Sequence, residues 1–294
     1  MRSKITLLFV VVLAVTLAVS FRIIAKKNAR HRVVRCAVIG GMTMTGLWPE
    51  ISKLFEAESG YHVQVVATGE RPLLDKAIRA GKVDLLTMHS GDITTDVVAD
   101  GYGVNMQPWT RNELVIVGPT NDPAGIRGMT NGAEALKKIA ATQANFVDFQ
   151  GIGSRELTHT LWRLAGIEPQ GDWVLKDDTK ISKWNVLQFC RSNHAYVVVG
   201  YIPAITGKMA NQGVEILVKG DPVMRRPYIV MECNPKKVAD VNFEGAEALE
   251  NFLLSPKVQS FLLTFGRTGD AFRPLFFPVN ATSRTEVSQP GKLE

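Results

Sequence analysis

Between residues 33 and 100, three short apolar runs alternate with three helix-patterned segments. The runs are Val33–Ile39 (VVRCAVI), Tyr61–Ala67 (YHVQVVA) and Val83–Met88 (VDLLTM); the helical segments are Leu47–Glu56, Leu73–Ala80 and Ile93–Asp100. Strands separated by helices cannot close as hairpins, so this alternation predicts an α/β fold with a parallel sheet. Each run ends in a small polar loop: Gly40–Thr45, Thr68–Arg71 and His89–Asp92. In a parallel sheet such loops share one edge, where open α/β sheets hold ligands. The first loop also leads into a helix N-terminus, whose free N–H groups suit an anion. From the loop alone a plain structural turn is the better-supported reading.

The second half repeats the pattern less regularly. A strand at Glu113–Val117 runs into the turn cluster Gly118–Gly125, which marks a crossing between two lobes. A strand at Asn145–Phe149 leads through Gln150–Arg155 into a helix over Glu156–Gly166. Further helices are expected at Ile181–Cys190 and Ile202–Met209, and strands at Ala195–Gly200 and Val214–Lys219. A second proline-bearing crossing, Gly220–Pro227, precedes a strand at Arg226–Glu232 and two amphipathic helices, Phe243–Leu254 and Pro256–Phe265. The expected division is residues 33–116 plus 229–279 for one lobe, 117–228 for the other, and a loose tail over 280–294.

The net charge of +6 is concentrated at one end. Residues 1–36 hold eight Lys or Arg and no acid, so the body is slightly acidic and carries no nucleic-acid footprint. Met1–Lys4 followed by the apolar run Ile5–Phe21 has the form of a secretory signal, with Ala18-Val19-Ser20 as a cleavage site. The same run is long enough to stay as a membrane anchor, and the basic linker behind it (residues 22–32) favours retention. Either way residues 1–32 point to a periplasmic or other extracytoplasmic location. Three widely spaced cysteines, Cys36, Cys190 and Cys233, give neither a disulfide framework nor a metal motif, though one bridge is open to them.

No nucleophile elbow, H-E-x-x-H or P-loop occurs, so no enzyme, cofactor or metal site is expected. Thr43 and Thr45 read either as ligand hydroxyls or as caps for the helix at Leu47. Glu70 and Arg71 read either as a surface ion pair or, facing a cleft, as the acceptor and donor for a polar organic or zwitterionic solute. Ser154 and Arg155 open a helix and carry the best anion signal in the second half.

Three phrases carry more than composition: DGYGVNMQPWTRNELVIVGPTNDPAGIRG (Asp100–Gly128), VKGDPVMRRPYIVMECNP (Val218–Pro235) and FEGAEALENFLLSPKVQSFLLTFG…PLFFP (Phe243–Pro278). With VDLLTMHS (Val83–Ser90) and LWRLAGIEPQGDW (Leu161–Trp173), they closely resemble the periplasmic tungstate-binding proteins of ABC importers, over about residues 36 to 278. The resemblance implies a type II solute-binding fold: two α/β lobes with mixed sheets, joined by two crossing strands, closing on a small anionic or polar solute. It implies an ABC permease as partner and a monomeric receptor. On that scaffold the expected ligand positions are Gly41, Thr43, Thr45, Glu70, Arg71 and Ser90 on one wall, with Ser154, Arg155 and Tyr201 on the other. The chain departs from the family pattern there, reading Val38-Ile39-Gly40-Gly41 where the family carries a threonine/serine run. The alternative function is a membrane-anchored sensor or scaffold that kept the fold and lost oxyanion transport.

Overall fold

The structure, a computed structural model, describes residues 32–176, 185–207, 209, 213–266 and 274–279. The leader, the start of the helix expected at Ile181 and the C-terminal tail lie outside the described residues. Among those described, no helix is long and apolar enough to cross a membrane.

The chain begins with strand β1 (Val33–Ile39), helix α1 (Gly40–Met44), α2 (Leu47–Ser59), β2 (His62–Gly69), α3 (Arg71–Arg79), β3 (Leu85–His89) and α4 (Asp92–Ala99). Strand β1 pairs in parallel with both β2 and β3, as the alternation requires. The stretch Gly40–Thr45, expected as a loop, is a helical turn instead. Thr43 Oγ1 donates to Gly40 O (3.0 Å) and Thr45 Oγ1 to Gly41 O (2.8 Å). Such back-bonding occupies both hydroxyls within the turn itself.

Strand β4 (Gly103–Pro119) is far longer than its apolar part, Glu113–Val117. Its first half contains Gln107-Pro108 and accommodates them with two register shifts against β9 (Arg225–Cys233). After Glu113 the same strand leaves β9 and pairs antiparallel with β7 (Val197–Gly200) and β8 (Val214–Val218). One strand therefore belongs to two sheets. The first sheet runs β10 (Phe277–Pro278), β4, β9, β3, β1, β2; it is mixed, because β9 is antiparallel to its neighbours β3 and β4. Between β4 and β7 lie α5 (Gly132–Thr142), β5 (Phe146–Asp148), α6 (Ile152–Ala165), β6 (Val174–Lys176) and α7 (Val186–Ser192). Strands β5 and β6 pair in parallel. Helix α8 (Tyr201–Ile205) follows β7; α9 (Phe243–Leu254) and α10 (Pro256–Leu262) return to the first sheet.

The cores explain the two lobes. Side chains alternate faces along a strand. On β4, Leu114 and Ile116 pack into one cluster with Phe146, Leu161 and Trp162, whereas Val115 and Val117 pack into another with Val197, Val199 and Cys190. Both faces are buried, so the segment reads as an unbroken apolar run. The first lobe has its own core around Trp48, Phe55, Trp109 and Leu249. It is clamped by the fully buried Asp84, which accepts from Arg35 Nε (3.0 Å), Arg35 Nη2 (2.6 Å), Arg35 N (2.7 Å) and Asn242 N (2.9 Å). All three cysteines are buried and free, so the bridge left open by the sequence is not formed.

Candidate ligand-binding site

Strand β4 passes from one sheet to the other, and β9 begins beside it at that point, with Asn112 opposite Arg226. A cavity of about 750 Å³ lies at this crossing. One wall comes from the ends of β1, β2 and β3: Ile39, Gly40, Gly41 and Met44, then Gly69, Glu70, Arg71 and Pro72, then His89. The facing wall comes from the second lobe, with Phe149–Gly151, Gly153 and Ser154 at the start of α6 and Gly200 and Pro203 beside α8. Asn112, Leu114, Arg226 and Tyr228 of the crossing strands form the floor.

The cavity lining carries two arginines, Arg71 and Arg226, beside Glu70. Arg71 opens α3 and is 7% exposed, and its Nη2 has no hydrogen-bond partner among the described residues. Arg226 projects from β9 and donates from Nη2 to Ser90 O at 3.3 Å. Both reach one carboxylate across the cleft: Glu156 on α6 lies 3.7 Å from Arg71 Nη2 and 3.4 Å from Arg226 Nη2. Burial, then the neighbouring Arg71 charge, bring the Arg226 guanidinium down to about 10, against the pull of Glu156. Two glycines make room for these groups. A Cβ at Gly91 would collide with Arg71 Nη1, and one at Gly153 would collide with the Arg226 guanidinium. Arg226 therefore sits directly on the N-terminal turn of α6.

His89 stacks on Tyr228, ring centroids 4.1 Å apart at 28°. Burial, followed by the charges of Arg226 and Arg71, holds its pKa well below the usual imidazole value, so the ring is neutral at pH 7. Burial likewise pushes the Tyr228 phenol up. A guanidinium pair with a neutral imidazole, an amide and a helix N-terminus is a donor-rich surface for an anionic group. Among the described residues no cluster of three His, Cys, Asp or Glu could hold a metal ion.

Of the positions marked from sequence, Gly41, Glu70, Arg71 and Ser154 line the cavity. Thr43, Thr45, Ser90, Arg155 and Tyr201 are outside its lining. Thr43 is turned to Gly40 O and to Thr68 Oγ1 (2.9 Å). Thr45 bonds within α1 and does not cap α2, whose N-cap is Gly46. Ser90 contributes its carbonyl to Arg226 and its N–H to Pro227 O (3.1 Å). Arg155 is exposed and reaches Gln150 Oε1 at 3.4 Å. Tyr201 is buried in the second-lobe core. Sequence reasoning did not mark Arg226, Asn112, Glu156 or Tyr228. Arg226 was quoted only as part of the phrase RRPY, since its place opposite Asn112 depends on the register of β9 against β4.

Residues 36–268 match the model of the family described as bacterial extracellular solute-binding protein. The chain belongs to this family. An ABC transporter anion-binding protein of Haloferax volcanii is 33% identical over 247 residues, covering 81% of this chain and 69% of that protein. The tungstate-binding protein TupA of Peptoclostridium acidaminophilum is 30% identical over 260 residues, covering 87% of this chain and 88% of its own. Among solved structures, TupA from Desulfovibrio alaskensis G20 superposes with a TM-score of 0.70 at 27% identity, over 85% of this chain and 99% of that one. The two-lobed type II solute-binding fold implied by the sequence is therefore the fold of this solute-binding protein, and its cavity lies between the lobes where β4 and β9 cross.

Proposed function

We propose that this chain is the extracytoplasmic receptor of an ABC importer, a non-catalytic protein that captures an anionic solute between its two lobes. The observation that carries this reading is the Arg71–Arg226 pair. Two like charges sit partly desolvated in one cavity, share one half-exposed carboxylate, and leave Arg71 Nη2 without a hydrogen bond. Such an arrangement costs free energy until an anion satisfies it. The names of the relatives, an anion-binding ABC protein and tungstate-binding TupA, support the same class of ligand and the same partner.

The lobes are residues 33–116 with 229–279, and residues 117–228. The transfer of β4 from β9 to β7 and β8 after Glu113 supports this division. Anion capture would draw Ser154 and the α6 N-terminus toward Arg71, closing the lobes about the crossing strands by a hinge motion. The receptor acts as a monomer, held near the membrane by residues 1–32 or released by their cleavage. Isothermal titration of residues 33–294 with a panel of inorganic oxyanions and small carboxylates tests this function. We expect at least one to bind with micromolar or tighter affinity and to lose about a hundredfold or more in Arg226→Ala, the loss of a buried charge-assisted contact. No anion binding, or binding indifferent to both Arg71→Ala and Arg226→Ala, would sink the reading.

A further inference from the structure

A third segment lies along the crossing between the lobes. Residues 274–279 lay β10 against β4 at Thr110 and Arg111, just before β4 leaves the first sheet for the second. The segment is fastened to the first lobe by its backbone. Phenylalanine 277's carbonyl accepts from Thr110 Oγ1 (2.9 Å), and Leu275 N donates to Phe265 O (3.3 Å). Val279 N donates to Gln259 Oε1 (3.0 Å), and Gln259 Nε2 donates in turn to Trp109 O (2.8 Å). Phe276 is fully buried in the first-lobe core, tilted against Phe265 and Tyr228.

The side chains on either side of Phe276 reach further. Leu275 packs against the first-lobe core and also against the second-lobe core that holds Val115, Val199 and Tyr201. The Arg225 guanidinium, at the start of β9 and on the second-lobe side of the division, stands 3.9 Å from the centroid of the Phe277 ring. Leu275 and Phe277 therefore each bridge the two lobes. None of residues 274–279 lines the cavity.

Resting on the hinge-closure reading, we propose that Leu275–Phe277 form a strap that sets how readily the lobes part. In the arrangement described, Glu156 of the second lobe lies 3.7 Å from Arg71 of the first, so the strap holds the lobes near one another. A rotation that separates Glu156 from Arg71 must draw Leu275 away from one of its two cores and Phe277 away from Arg225. The first-lobe fastening is backbone pairing and a buried aromatic ring, so the second-lobe contact is the one that yields. Its loss returns apolar surface to water. The strap thus favours the closed arrangement without touching the solute. Anion affinity scales with the fraction of receptor in that arrangement, so a weaker strap lowers affinity from outside the site.

The test reads the separation of the lobes directly. Lys53→Cys on α2 and Arg163→Cys on α6 place one spin label on each lobe; both positions are exposed, and the native cysteines are buried. Double electron–electron resonance then measures the distance without solute and with saturating sodium tungstate or molybdate. Without solute, Leu275→Ala should give a longer and broader distance distribution than the protein with an intact strap. Anion should restore the intact protein's distance, with affinity about tenfold lower. Phe277→Leu keeps an apolar side chain and removes the ring under Arg225; it should shift the distance the same way and weaken the anion about threefold. Leu249→Ala, in the first-lobe core and away from the crossing, should lower the melting temperature without moving the distance. Solute-free distances unchanged in both strap variants overturn the strap, as does a shift of equal size in Leu249→Ala. An intact protein whose distance neither anion changes counts against closure on these oxyanions, and the solute-free comparison still decides the strap.

Discussion

Glu156 contacts both arginines of the proposed anion site, so removing its charge should tighten anion binding. An incoming anion must take Arg71 and Arg226 from a carboxylate 3.7 and 3.4 Å away. In bulk water each such pair is worth about 1 kcal/mol by Coulomb's law, and more where water is excluded. Glu156 is 47% exposed, so each pair belongs near the measured range for surface pairs, about 0.2–1 kcal/mol. Together they cost an entering ligand about 1 kcal/mol. Glu156→Gln keeps the side chain's shape and removes that competition, so affinity should rise about fivefold. Calorimetry on both proteins with the tightest anion found, at 20 mM and again at 1 M NaCl, measures this. The gap between them should narrow at high salt, because screening weakens the half-exposed pairs in the wild type. An unchanged or weaker affinity for Glu156→Gln at low salt would refute the competition and make Glu156 a cross-cleft strut instead.

Three further outcomes follow from particular contacts. Gly153→Ala inserts a methyl group where the Arg226 guanidinium rests, so anion affinity should fall tenfold or more. Because alanine favours a helix over glycine by about 1 kcal/mol, thermal stability should not fall with it. Asp84→Ala strands the Arg35 charge and the Asn242 N–H, costing about 3–5 kcal/mol and lowering the melting temperature by about 10 °C. Anion affinity measured at 10 °C should be unchanged, because Asp84 lies at the end of β3 away from His89. His89 has a folded pKa well below its unfolded value of about 6.5. Above pH 6.5 both states are neutral. Below it the unfolded chain takes up a proton that the folded one refuses, so stability drops by up to about 1.4 kcal/mol per pH unit. Denaturant titrations should show that slope reduced in His89→Gln, and affinity for a strong-acid anion should stay flat between pH 6 and 8.

The local rules of strand and helix were legible in this chain because they depend on near neighbours. Short apolar runs placed β1, β2 and β3 within two residues of their observed bounds, whereas the turn cluster Gly118–Gly125 lies past the point where β4 leaves β9 after Glu113. Arg71 could be marked as a cleft residue because it begins the helix after β2, at the edge where parallel strands end. Local patterns failed where polar residues were satisfied by remote partners. The first half of β4 was obscured by Gln107-Pro108 and takes its strand form from pairing with β9, more than a hundred residues later. Arg226 is one of two adjacent arginines, and nothing in RRPY says which faces the cavity. That is decided by the register that sets Arg226 opposite Asn112, and by a bare Gly153 in the other lobe. At Gly40–Thr45 the sequence set the position of the cavity's first wall. The back-bonding of Thr43 and Thr45 turned their hydroxyls away and left Gly41 and Met44 of this stretch in the lining, beside Arg71 and Arg226.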